Sequence, residues 1–126
     1  MSAWRQAIGK WGENQAANFL EQRGFRILDR NARTPYGEID LVACQESEGR
    51  PPLVVFVEVK TRTTREYGRP EQAVTVRKQT HLLAAIQAYL LEHPELEGDW
   101  RVDVIAIYRN RRGADPEINL FENALF

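Results

Sequence analysis

Gly37-Glu38-Ile39-Asp40-Leu41-Val42-Ala43, a polar gap, then Leu53-Val54-Val55-Phe56-Val57-Glu58-Val59-Lys60-Thr61-Arg62: two apolar, β-branched runs interrupted by charges decide how this chain reads. Such runs predict core strands. Charged side chains inside them are costly to bury unless paired or bound to a cation. Asp40, Glu58 and Lys60 are therefore candidates for chemistry rather than for solubility.

In a strand, residues i and i+2 share a face. Glu58 and Lys60 are expected to point one way, with Val54 and Phe56 behind them and Val55, Val57 and Val59 opposite. On the preceding strand Glu38 and Asp40 are expected to share a face, with Ile39 and Leu41 on the other. An antiparallel hairpin centred on Gly49 then sets Asp40 across from Glu58 and Glu38 across from Lys60, and gathers all four on one patch. A one-residue slip of register would undo this. The gap Gln45-Glu46-Ser47-Glu48-Gly49-Arg50-Pro51-Pro52 reads as an exposed hairpin loop.

Outward from these strands, Trp4, Ile8, Trp11, Phe19 and Leu20 keep roughly helical spacing, with Gly24 as the stop. Phe25 to Asn31 reads as a short strand, and Thr34-Pro35-Tyr36-Gly37 as a turn. Thr75 is a candidate N-cap for a second helix with Leu82, Ile86, Tyr89 and Leu90 on one face, ending near Pro94. Arg101 to Tyr108 reads as a buried strand, 109–113 as a turn and Glu117 to Leu120 as a last strand. The order is α, β, β, β, α, β, β. A mixed sheet covered by helices packs it most economically.

At 126 residues the chain is expected to form one domain, 1–126, with a real core. Hydrophobic residues at 43% and charged residues at 28% argue against disorder. No apolar run approaches the roughly 18–20 residues that span a bilayer. The start Met1-Ser2-Ala3-Trp4-Arg5 lacks a signal peptide's apolar stretch, and the single Cys44 cannot pair internally, so a cytoplasmic location is expected. Cys44 itself reads as a small hydrophobe.

A net charge of −1 argues against a protein that coats nucleic acid indiscriminately. The charges are unevenly spread, however. Residues 60–78 carry six basic side chains (Lys60, Arg62, Arg65, Arg69, Arg77 and Lys78) against Glu66 and Glu71, a local net +4. This is either a solvated surface or a basic rim beside the Glu58–Lys60 strand.

Adjacent carboxylates repel, and a hard divalent cation relieves that repulsion. Mg²⁺ takes a few carboxylate oxygens and keeps sites for water and phosphate. It polarises a phosphoryl oxygen and makes bound water a better nucleophile. A lysine two residues past a ligand can neutralise charge on the phosphate. The set is thus rational for phosphodiester hydrolysis. The bland alternative is a surface Glu-x-Lys ion pair of little energetic worth. The chain has no Cys/His zinc spacing, no phosphate-cradling Gly-rich loop and no Ser/His nucleophile elbow.

An acidic residue on one strand and Glu-x-Lys on the next is the PD-(D/E)xK pattern of restriction-endonuclease-like nucleases. The chain more closely resembles the bacterial YraN family, relatives of the archaeal Holliday-junction resolvases. The matching pieces are Gly12-Glu13, Ala16-Ala17, Phe19-Leu20, Gly24-Phe25, Gly37 to Ala43 and Phe56 to Arg62. They continue with Tyr67-Gly68, Pro70 to Thr75, Arg77-Lys78, Arg101 to Ala106 and Asn123-Ala124. The pattern's proline is absent here, since Ile39 precedes Asp40.

The resemblance implies a restriction-endonuclease-like α/β fold, a mixed β-sheet flanked by helices. It implies Mg²⁺ or Mn²⁺ held by Asp40 and Glu58, with Glu38 supporting the ligand shell. Lys60 would assist catalysis, and Glu13 would be an additional helix carboxylate. Arg62, Arg65, Arg69, Arg77 and Lys78 are candidates for phosphate contacts with DNA, in particular branched or flapped DNA. A homodimer would suit a junction, which needs two cuts. The rival expectation is a binding module for nucleic acid or a protein partner on the same fold without catalysis. His81 and Asp103 read as structural, Asp103 as the partner of a nearby arginine or backbone group.

Overall fold

The computed structural model describes residues 2–63, 75–109 and 114–124. Helix α1 (Ala3–Gln22) is followed by strands β1 (Arg26–Thr34), β2 (Gly37–Ser47) and β3 (Arg50–Arg62). Helix α2 (Val76–Glu92) and strands β4 (Trp100–Tyr108) and β5 (Glu117–Phe121) complete the order. The five strands form one sheet in sequence order. β3 and β4 are parallel and the other neighbours antiparallel, so the sheet is mixed as expected. This is a restriction-endonuclease-like α/β fold.

Each helix begins on the cap its sequence offers. Ser2 accepts from the Arg5 N–H and Thr75 from the Lys78 N–H, each at 3.2 Å. These bonds satisfy N–H groups that the first helical turn leaves open. Gly24, at φ +89°, follows α1, and its N–H donates to Glu21 O at 3.1 Å. Only a residue without Cβ takes that backbone freely.

The two helices cover opposite faces of the sheet. Ala16, Ala17 and Leu20 of α1 pack on Leu41, Ala43, Val55, Val57, Ile105 and Ile107. Ala85, Ile86 and Tyr89 of α2 pack on Ile39, Val42, Val54, Phe56 and Val102, with Leu82 and Leu90 beside them. β3 is buried on both faces, which explains its unbroken apolar run. Phe56 meets Tyr89 and Trp100 edge-on, at centroid distances of 5.9 and 5.8 Å. Cys44 is a buried small hydrophobe. Trp4 is largely exposed, whereas Trp11 packs against the α1-side core.

Two expectations need correction. β2 and β3 run well into the polar segment 45–52, pairing as far as Ser47 and Arg50. Only a tight turn remains at Glu48 and Gly49, with Gly49 at φ +76°. Ile39 and Leu41 do not share a face: Ile39 lies in the α2-side core and Leu41 in the α1-side core. Alternation therefore reverses between them. On the neighbouring strand Asn31 has φ +51° at the same level, since Arg30 pairs with Leu41 and Ala32 with Ile39. A left-handed residue re-aims the side chains around it.

Candidate functional site

The register expected for the hairpin holds where the strands pair: Leu41 faces Val57 and Val42 faces Phe56. The ladder ends at Leu41–Val57. Beyond it, Gly37 to Ile39 pair with β1, while Glu58 to Arg62 pair with β4. The two central strands diverge and open a cleft in the sheet. Asp40 and Glu58 stand at its apex.

Divergence leaves backbone groups to satisfy, and Asp40 does so. Its Oδ2 accepts from the Val59 N–H at 2.8 Å. Burial, and next the repulsion of Glu58, push the Asp40 carboxyl up to about 7. The Val59 N–H and Lys60 oppose this only in part. A half-buried acid that is repelled by its neighbour favours either a proton or a cation.

The reversed alternation decides where Asp40 points. Regular alternation would set it on the α2 side with Glu58 and Lys60. It instead lines the α1-side groove, of about 1020 Å³, with Glu13, Asn31, Glu38, Val59 and Thr61. Oxygens of Glu13, Glu38 and Asp40 lie within 4.8 Å of one another, a set able to hold a metal ion. Three hard oxygen donors with open solvent on one side suit Mg²⁺, Mn²⁺ or Ca²⁺ and not a soft cation.

Asn31 ties this cluster together. Two carboxylate oxygens face its amide, so the nitrogen points at them. It donates to Glu38 Oε1 at 2.7 Å and to Glu13 Oε2 at 2.6 Å. Glu13 is raised above the ordinary carboxylate range by burial; the Asn31 bond opposes that shift and the nearby Glu38 adds to it.

Glu58 and Lys60 pair at 3.1 Å, both mostly covered. They line a second pocket of about 250 Å³ on the α2 side, with Tyr36, Gly37, Glu38, Lys78 and His81. The expected patch is thus spread over two adjoining cavities, with Asp40 still within electrostatic reach of Glu58 and Lys60. Glu38 borders both cavities. Glu58 lies outside the three-carboxylate cluster and acts on Asp40 through its charge.

Of the expected phosphate-binding residues, Lys78 lines the α2-side pocket and Arg77 is exposed at the start of α2. Arg62 borders the α1-side groove. Arg65 and Arg69 fall outside the described residues. Asp103, fully buried, takes a bidentate pair from Arg101 at 3.0 to 3.3 Å, as its strand setting suggested. It also accepts from the Asn123 N–H at 3.0 Å, which staples the chain's closing segment to β4. Sequence reasoning passed over Asn31 and Tyr36 and read His81 as structural. A non-glycine residue tolerant of positive φ was the one signal for Asn31, and it is a weak one.

The forked sheet with its carboxylates defines the class: a nuclease-like α/β protein of the PD-(D/E)xK type. The chain belongs to the YraN family, described as uncharacterised protein family UPF0102, whose profile matches residues 12–107. It is 43% identical over 124 residues to a UPF0102 protein of Syntrophotalea carbinolica, covering 98% of this chain and 95% of that one. It is 37% identical to one from Desulforamulus reducens, covering 99% and 100%. A solved structure of Pyrococcus furiosus SfsA in complex with Ca²⁺ superposes with a TM-score of 0.41 at 20% identity, over 87% of this chain and 62% of that one. Among the described residues no helix is long and apolar enough to cross a membrane.

Proposed function

We propose that this protein is a metal-dependent nuclease that hydrolyses phosphodiester bonds in DNA. One observation carries the reading: the sheet forks where Glu13, Glu38 and Asp40 converge, with the Glu58–Lys60 pair on the strand across the fork. Helix α1 and strand β2 bring three carboxylates around one open point, and a fourth acid, on β3, repels Asp40. No packing need of the fold calls for that arrangement.

In this reading Asp40, Glu13 and Glu38 hold a divalent cation, and Glu58 adds to the negative field that attracts it. Mg²⁺ or Mn²⁺ held there would supply Lewis-acid polarisation of a phosphoryl oxygen and a more acidic bound water. The Val59 N–H holds the Asp40 carboxylate in place through its Oδ2. Lys60, held by Glu58, supplies positive charge to the phosphate as negative charge builds on it. Lys78 and Arg77 on α2, and Arg62 at the end of β3, draw the DNA backbone toward the cleft. Among the described residues nothing at the cleft is arranged to read base edges, so selection by shape is the expected mode, with branched or flapped DNA as substrate. A homodimer would bring two clefts to a junction.

The test is cleavage of labelled single-stranded, duplex, flap and four-way-junction DNA with Mg²⁺ or Mn²⁺, with Asp40→Asn alongside. Metal-dependent cleavage that disappears in Asp40→Asn while DNA binding persists is the expected result. No cleavage of any substrate, with equal DNA binding by both proteins, would favour a non-catalytic binding module.

A further inference from the structure

Asn31 occupies a position that the carboxylates alone do not explain. Its backbone is held at φ +51° inside a strand, a conformation that a side chain other than Asn, Asp or Gly adopts at a cost. The amide tip lies 2.6 and 2.7 Å from oxygens of two glutamates that also lie within reach of Asp40. Adjacent ligands of an octahedral Mg²⁺ with 2.0–2.1 Å bonds are about 2.9 Å apart. The amide sits at hydrogen-bond distance from two groups proposed as ligands, near enough to share a cation with them.

An amide has two faces for two states. Without a cation the carboxylates need donors, and the nitrogen serves them. With a cation bound their charge is met, and the amide oxygen becomes the useful end. Oxygen and nitrogen exchange places by a half-turn about a terminal torsion, which is broad and soft.

Resting on the metal-dependent reading above, we propose that Asn31 is a further metal ligand: its nitrogen bridges Glu13 and Glu38 in the metal-free protein, and its oxygen turns to coordinate the divalent cation. The residue keeps the carboxylates in place before the ion arrives and then joins its shell. A carboxylate there would supply the oxygen without the N–H donors, and a glycine would keep the backbone and supply neither.

The test compares wild type, Asn31→Gly and Asn31→Asp in Mn²⁺ titrations followed by electron paramagnetic resonance, with thermal melts to confirm folding. Glycine accepts φ +51° without strain, so Asn31→Gly removes the amide alone. It is expected to weaken Mn²⁺ binding at least about tenfold. Asn31→Asp is expected to bind Mn²⁺ at least as tightly as wild type, yet to melt at a lower temperature without metal. In ¹⁵N–¹H spectra the Asn31 side-chain amide, assigned by its loss in Asn31→Gly, should leave its hydrogen-bonded position when Mg²⁺ is added. Wild-type Mn²⁺ affinity in Asn31→Gly would overturn the proposal. So would equal weakening in both variants, or an amide signal indifferent to Mg²⁺. If wild type itself gives a flat titration, the metal-dependent reading fails and the role of Asn31 falls with it. Binding by wild type that is unchanged in Asn31→Gly sinks the Asn31 role alone.

Discussion

Gly12 of α1 lies against Thr61 of β3 so closely that a Cβ on residue 12 would overlap Thr61 Oγ1 and stand 3.1 Å from Thr61 Cβ. The next residue is Glu13. The contact therefore sets how near the Glu13 carboxylate comes to Asp40 and Glu38. Gly12→Ala is expected to destabilise the fold by about 1–3 kcal/mol, the usual cost of overpacking, and to weaken Mn²⁺ binding by moving Glu13 outward. Adding Thr61→Ala removes the blocking hydroxyl and should restore much of both. Thermal melts and Mn²⁺ titrations of the single and double variants check this. A Gly12→Ala protein with unchanged metal affinity would show that the helix position does not govern Glu13.

Asp40 should make the metal-free protein's stability depend on pH. Its folded value of about 7 is above the ordinary carboxylate value of 3.8. The folded protein thus holds this proton more tightly than the unfolded chain does. The resulting stabilisation is full below about pH 4 and is lost as pH rises to about 7, at up to about 1.4 kcal/mol per pH unit. Asp40→Asn should flatten that part of the profile and make the metal-free protein more stable than wild type at pH 8. Denaturant melts at pH 5 and pH 8 in the presence of chelator measure it.

The same proton competes with a cation. Below about pH 7 the apparent Mn²⁺ affinity of wild type is expected to fall by up to tenfold per pH unit, and above it to level off. Titrations between pH 5.5 and pH 8.5 would show the bend. A flat profile would mean that Asp40 is already ionised in the free protein.

Lys60 should separate chemistry from binding. Its ammonium is committed to Glu58 at 3.1 Å and is mostly covered, so it adds little to a long-range field. Lys60→Ala is expected to lower cleavage at least about 100-fold while changing DNA affinity only slightly. Single-turnover cleavage and DNA-binding titrations, run side by side, decide it. Parallel losses in both would make Lys60 a binding residue.

Asp103 marks the contrast between a structural and a functional acid. It is fully buried, held by Arg101 and the Asn123 N–H, and far in role from the fork. Asp103→Ala would leave the Arg101 guanidinium without its buried partner and is expected to cost about 3–5 kcal/mol. Mn²⁺ affinity of the protein that remains folded should not change. Melts together with metal titrations distinguish this from a ligand role.

Local chemistry made much of this molecule legible. The caps at Ser2 and Thr75 act within one turn of helix, so the residues that make them are neighbours in sequence. The doubly apolar run of β3 announces a strand buried on both faces. The register about Gly49 follows from a short hairpin, and Leu41 does face Val57. Asp40, Glu58 and Lys60 stood out because charge inside an apolar run demands a reason. Ile39, Leu41 and Asn31 show where such reading stops. Strict alternation assigns Asp40 to the side of Glu58, but the positive φ of Asn31 and the change of face between Ile39 and Leu41 turn it toward α1. Those features arise between two strands and a helix, and no window of one strand contains them.

The chain's residue order alone determined which elements form, how the hairpin pairs and which acids are out of place, because caps, turns and two-residue periodicity are short-range. The tertiary structure decided which acids meet. Glu13, Asn31, Glu38 and Asp40 come from α1, β1 and β2, and they converge because Gly12 lets the helix settle on Thr61 beside a sheet that forks past Leu41 and Val57. Long-range packing fixes that convergence, and packing is a property of the folded whole.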